Sequence, residues 1–445
     1  MTTDDLRART SEAFPTLRSD LEALVRIPSV SNPEFDQTHV DASATAVADL
    51  LRGTGIDDVR VLRVPGGRPA VVARRPAPQG APTVLLYAHH DVQPPGDDAD
   101  WDTPPFVPTE RDGRLYGRGA ADDKAGVIAH VGALRVLGED LGVGVTVFVE
   151  GEEEIGSPTF LDFLQAHRDE LAADVIVVAD SSNWAVGTPG LTTSLRGLVD
   201  CEVEVAVTSH AIHSGMFGGP VLDAPTLLAR LVATLHDEHG DVAVAGLVHA
   251  PDPVVDYDEA AFRADAGVLD GVRLAGTGPL TARMWTRPAI GVIGFDAPRV
   301  ASASNTITPR ATAKLSMRIA PGQDPVAAMA ALRAHLEGNA PFGAQVTVRD
   351  GEKGKPFQAP QDSPAMQAAR WAFEAAWGTE PVDIGIGGSI PFIADLLDVF
   401  PSAAILVTGV EDPDSRAHGA NESVHLSELE KVVLAEALLL ARLAD

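Results

Sequence analysis

The chain has a single cysteine, Cys201, in 445 residues. That excludes an internal disulfide and a thiolate metal cluster, so any metal must be held by oxygen and nitrogen. Positive charge is also scarce: 34 Lys and Arg stand against 63 Asp and Glu, a formal charge of −29. Such a chain repels phosphate backbones and anionic membranes, and nucleic acid is not an expected partner. No apolar run reaches the roughly 18 residues that a membrane helix requires. The opening MTTDDLRART lacks the basic and then apolar order of a signal peptide, so the expected location is the cytoplasm. What the chain does have is 45% hydrophobic residues, enough for a sizeable core and, at this length, for two domains.

Helical spacing from Asp4 to Val25 predicts an amphipathic helix. Strand character follows at Val59–Val64, Ala70–Ala73 and Val84–Ala88. Helices at Lys124–Leu137 and Phe160–Leu171 each lead to an apolar strand, Val145–Val149 and Val175–Ala179. This alternation predicts an α/β layer with a mixed, largely parallel sheet flanked by helices. Between 193 and 351 the order becomes β-α-β-β-α-β: Cys201–Val207, Ala224–His236, Ile290–Phe295, Ala311–Ile319, Pro325–Leu336 and Gln345–Val348. That is the split, ferredoxin-like arrangement. It is read as an inserted α+β domain, with 1–192 and 352–445 forming a discontinuous first domain completed by Ser363–Ala376, Ala403–Val407 and Leu426–Leu443. The stretch from Gly240 to Leu280 reads as loops with short helices.

The chemistry lies in where His and carboxylate residues fall. His89 and Asp91 follow the run VLLYA, Glu152, Glu153 and Glu154 follow VTVFV, and Asp180 follows VIVVA. Three strands thus deliver polar groups at their C-terminal ends, the edge where open α/β sheets bind ligands. Asp122 and Asp123 sit at the start of a predicted helix after Gly117-Arg118-Gly119, and His418 lies in a loop before the last helix. Two histidines and several carboxylates suit Zn²⁺, Mn²⁺ or Co²⁺. Each residue alone has a structural reading. Asp123 serves as a helix N-terminal charge, Glu152 as a solvated or salt-bridged group, and His89 or His90 as a hydrogen-bonded loop residue. Only their coincidence at one sheet edge argues for a metal centre.

These residues lie within motifs that resemble a known family. The segments are AHHDVQPP (88–95), LYGRGAADDKAG (115–126), EGEEEIGS (150–157), ADSSNW (179–184), HSGMFGG (213–219), SNTITPR (304–310), GGSIPF (387–392) and AHGANE (417–422). They are similar, in order, to the dinuclear metallohydrolases that include acetylornithine deacetylase, succinyl-diaminopimelate desuccinylase, aminoacylase, glutamate carboxypeptidase and carnosinase-type dipeptidases. The dipeptidase branch is the most similar, through HxDVQPP, GRGxxDDK and GGSIP.

The resemblance implies a hydrolase of peptide or amide bonds in small substrates, with two divalent ions, zinc before manganese or cobalt. Asp122 would bridge them, His89 and Asp180 would complete one site, and Glu154 and His418 the other. Glu153 would be the general base, Asp91 the group that orients the His89 ring, and the Asp122–Asp123 peptide would be cis. His213 would stabilise the oxyanion from a partner subunit, implying a homodimer through the inserted lid domain. Asn305, Arg318, Gly388 and Ser389 would bind substrate, Arg318 taking a carboxylate. Read alone, His213 is a turn residue and Arg318 a strand-face salt bridge. One departure stands out: dipeptidases carry Arg-Glu before GGSIP, the Glu placed for a substrate amine, whereas here Gly385 and Ile386 occupy those positions. Asp395 or the Ser181–Trp184 loop is left to replace it, or the substrate is an N-acyl amino acid. A biosynthetic deacylase and a catalytically silent metal-binding dimer are the alternatives.

Overall fold

The computed structural model describes residues 1–388 and 391–444, and the chain divides into two compact units. The first comprises Met1–Thr193, Ala359–Ile384 and Asp395–Asp445, the second Ser194–Gln358 and Gly385–Ala394.

In the first unit, parallel strands Gly144–Glu150, Thr83–His89, Val175–Val178 and Ala404–Val407 lie side by side in that order. Ala70–Arg75 adds antiparallel to Gly144–Glu150, and Asp58–Leu62 antiparallel to Ala70–Arg75. The predicted mixed, largely parallel sheet is therefore present. Its central strands are near-continuous apolar runs because they are covered on both faces. One cover is a helical layer in which Thr3–Val25, Lys124–Leu137 and Leu426–Leu443 pack on one another. Thr2 and Asp5 form a capping box that starts the first of these helices. The predicted helix Phe160–Leu171 breaks at His167 into Phe160–Ala166 and Arg168–Leu171. The helix Thr38–Arg52 was not among the predicted elements.

Beyond the parallel pair Val175–Val178 and Ala404–Val407 the two chains keep running together. Thr408 N–H donates to Val178 O, and Ser182 bridges Glu411. Gly409 makes this approach possible, since a Cβ at that position would overlap the Ser181 carbonyl. The sheet therefore has a fourth strand end, carrying Glu411, next to the one carrying Asp180.

The second unit is a four-stranded antiparallel sheet in the order Ala289–Asp296, Arg310–Ile319, Gly197–Ala206, Gln345–Gly354. Helices Ala224–Ala233 and Pro325–Gly338 pack on it around a core that includes Val203, Leu228, Leu315 and Leu332. This is the ferredoxin-like α+β arrangement predicted. The 240–280 stretch holds one short helix, Glu259–Asp265.

Candidate metal centre

The C-terminal ends of the parallel strands converge on one cluster in the first unit. His89 is fully buried, and its Nε2 lies 3.0 Å from Asp122 Oδ1. The other oxygen, Asp122 Oδ2, lies 2.9 Å from His418 Nε2, which is also 3.3 Å from Glu154 Oε2. Asp122 thus faces both histidines, one with each oxygen. Donor atoms of His89, Asp122 and Glu154 fall within 4.8 Å of one another, as do those of His89, Asp123 and Asp180. The Asp122–Asp123 peptide bond is cis.

The groups behind these side chains explain this placement. His89 Nδ1 faces Asp91, with the backbone carbonyl at 3.1 Å and the carboxylate at 3.4 Å. The Asp91 carboxylate is chiefly an acceptor for the backbone amides of Glu153 (3.2 Å) and Glu154 (3.0 Å), so it fixes the acidic turn as well as the ring. Glu422 accepts from the amides of Ala121 and Asp122, both at 3.0 Å, and pairs with buried Arg118 at 2.5 Å. Arg118 also donates to His418 O at 3.0 Å. One buried ion pair thus ties the Asp122 turn to the His418 loop, across 304 positions of sequence. Lys124 is buried and donates to Leu24 O and Ile27 O, which locks the same turn to the end of the first helix.

Electrostatics show what the cluster lacks. Burial pushes the Glu153 carboxyl up to about 9, with Asp180, Glu154 and Asp91 adding to it. Burial also raises Glu154 to about 7 and Asp180 to about 6, in both cases helped by the Asp122 charge. Asp123 and Glu411 are held well above the carboxylate range for the same reason, burial beside other carboxylates. Asp122 is the exception: its histidine hydrogen bonds outweigh burial and hold it well below. Those bonds in turn raise His418 to about 11. More negative charge is collected here than the protein neutralises, and Asp123 Oδ1 is buried without a hydrogen-bond partner. An oxygen and nitrogen donor set of this kind fits divalent cations.

Some sequence readings change. Glu152 is not solvated: it is buried and accepts from Arg68 N, Thr159 N and Thr159 Oγ1. Asp123 is more than a helix-end charge, since its side chain makes no cap hydrogen bond and accepts instead from His89 N at 3.1 Å. His90 is turned away, bonded through Nε2 to Pro69 O, and burial lowers it to about 4. Glu411, Glu422 and Arg118 were missed. The signal for Glu411 was the rule already applied to the other strands, a carboxylate beyond an apolar strand.

Glu150, the register partner of His89, is buried and accepts from Tyr87 Oη and Ser157 Oγ. Burial pushes its carboxyl up to about 8 from an ordinary value of 4.5, with Asp91 contributing. Folded chains therefore hold a proton that unfolded chains release. The stability this group contributes is full below the unfolded value and is lost as pH rises through the folded one. Glu150→Gln keeps the accepting oxygen and removes that loss. In urea unfolding of metal-free protein, the variant should gain on the wild type between about pH 5 and about pH 9. An unchanged difference would show that Glu150 ionises freely.

In the second unit, His213 is exposed and its Nδ1 accepts Gly215 N–H at 3.0 Å. Asn305 lies beside it, its carbonyl accepting from Ser214 N and Oγ. Arg318 lies on the strand Arg310–Ile319, and its charge lowers the largely buried Arg196 to about 10, after burial itself. Arg196 holds the glycine loop through Gly387 O at 3.0 Å. Gly388 is in that loop, and Ser389 lies outside the described residues.

Residues 85–442 match the family described as Peptidase family M20/M25/M40. A cysteinylglycine-S-conjugate dipeptidase of Corynebacterium striatum is 38% identical over 92% of this chain and 90% of its own length. The human Beta-Ala-His dipeptidase is 28% identical over 88% and 82%. The crystal structure of human carnosine dipeptidase 1 superposes with a TM-score of 0.75 at 25% identity, covering 100% of this chain and 99% of the other.

Proposed function

The chain belongs to peptidase family M20/M25/M40, and on that premise we propose that it is a two-metal dipeptidase. The observation that carries the reading is Asp122, one carboxylate facing His89 with one oxygen and His418 with the other. His89, Asp122 and Asp180 would hold one ion and Asp122, Glu154 and His418 the second, zinc being the first candidate. When bound, the ions supply an acidified water and polarise the scissile carbonyl.

The protein's own groups do the rest. Glu153 stands at the start of the turn Glu153–Ile155, its backbone fixed by Asp91. Its carboxylate forms no hydrogen bond among the described residues, so it is free to take the water's proton and pass it to the leaving amine. His213 accepts from Gly215 through Nδ1, which leaves the ring proton on Nε2, the donor an oxyanion requires. Arg318 is assigned the substrate carboxylate, with Asn305 and the glycine loop of Gly388 and Ser389 as further contacts.

A homodimer through the second unit is part of this reading. The strand Ala289–Asp296 is a sheet edge, and it exposes Val292, Ile293 and Phe295, the kind of edge that a second copy covers. A monomeric mass by light scattering would overturn that part.

The test is turnover by the metal-loaded protein of dipeptides and N-acyl amino acids. Dipeptides should be cleaved, each yielding two amino acids. Cleavage confined to N-acyl amino acids would favour the amidohydrolase alternative, and cleavage of neither would overturn the assignment.

A further inference from the structure

The carboxylate that dipeptidases place before GGSIP is absent here, since Ile386 stands at that position. An unblocked dipeptide nevertheless carries its ammonium nitrogen only two bonds from the scissile carbonyl carbon. Its counter-charge must therefore lie next to the metal-binding carboxylates.

Glu411 is in such a place. It stands beyond the strand Ala404–Val407, adjacent to the strand end that carries Asp180. Its backbone is pinned on both sides, Glu411 N donating to Ser181 O at 3.3 Å and Asn183 N donating to Glu411 O at 2.8 Å. The carboxylate accepts only from Ser182 Oγ, at a long 3.4 Å. Among the described residues no lysine or arginine pairs with it. Nor does it form an ion pair with His89 or His418, as Asp122 and Glu154 do. Burial holds its carboxyl well above the usual carboxylate range, with Asp122 and Asp180 adding to it. As a residue Glu411 is only partly buried. An enclosed carboxylate without a cation costs free energy until one arrives.

We propose that Glu411 receives the free α-ammonium group of the substrate, making this a peptidase of unblocked dipeptides. This rests on the dipeptidase reading above. The ammonium would enter as the second partner of a carboxylate now held by one weak hydroxyl bond, and an N-acyl group would leave that carboxylate unmatched.

The experiment compares Ala-Gly with N-acetyl-Ala-Gly for the wild type, Glu411→Gln and Glu411→Asp, with metal content measured in each. The wild type should prefer Ala-Gly by at least about tenfold in kcat/KM. Glu411→Gln should reduce that preference at least tenfold, mainly through KM for Ala-Gly, and Glu411→Asp should recover part of it. A Glu411→Gln protein that keeps the full preference overturns the proposal while leaving the dipeptidase reading intact. So does one that loses metal, because the residue would then serve the ions. A wild type that cleaves neither substrate overturns both.

Discussion

Glu153→Gln should lower kcat by about 10² to 10⁴-fold with the metal content unchanged. Amide and carboxylate have the same shape, and the Glu153 backbone is held by Asp91 through a bond that the substitution does not touch. The proposed ligand carboxylates of Glu154 and Asp180 and the histidines keep their own contacts. What disappears is the only step that needs a group to accept a proton and return it. The loss should therefore fall on kcat, with KM for a dipeptide moving little, the pattern of an interaction made in the transition state. Stopped-flow turnover and metal analysis on the same preparation check it. Full turnover by the variant would remove Glu153 from the mechanism. Loss of an ion would make it a ligand instead.

The residues most legible in the sequence were those whose signal is local. VLLYA, VTVFV and VIVVA mark buried parallel strands, and His89, Glu154 and Asp180 follow them closely enough for strand-end geometry to bring them together. The ferredoxin-like order of the second unit was legible for a related reason: Arg310–Ile319 alternates buried and less buried residues along its length. Glu411 escaped because three residues, Thr408 to Val410, separate it from the predicted strand end at Val407, farther than His89 or Asp180 lies from its own. Gly409 lets that segment lie against Ser181, and a long-range contact of this kind is invisible to a window of neighbours. Asp123 was incompletely read for the opposite reason. A structural explanation sufficed locally, and only the folded chain shows its carboxylate turned back to His89 N rather than capping its own helix. Arg118 and Glu422 form the most distant case, a buried pair with no sequence-local signature.

Those long-range ties concentrate the largest expected effect on Asp122. Asp122→Asn should leave fewer than two ions per chain after dialysis and reduce dipeptide turnover by more than about 10³-fold. The reason is geometric: Asp122 Oδ1 is committed to His89 and Oδ2 to His418, so one anionic group serves both sides of the centre. An amide has a single acceptor oxygen and no charge, and it can serve only one side. The fold should tolerate the change, because Glu422 and Arg118 hold the turn through backbone amides of Ala121 and Asp122 that the substitution leaves alone. Asp123→Asn is the informative control. Its carboxylate belongs to the donor group with His89 and Asp180, yet it is engaged with a backbone amide and faces neither histidine Nε2 as closely as Asp122 does. It should keep both ions. If instead Asp123→Asn empties the centre while Asp122→Asn retains two ions, the bridging role passes to Asp123.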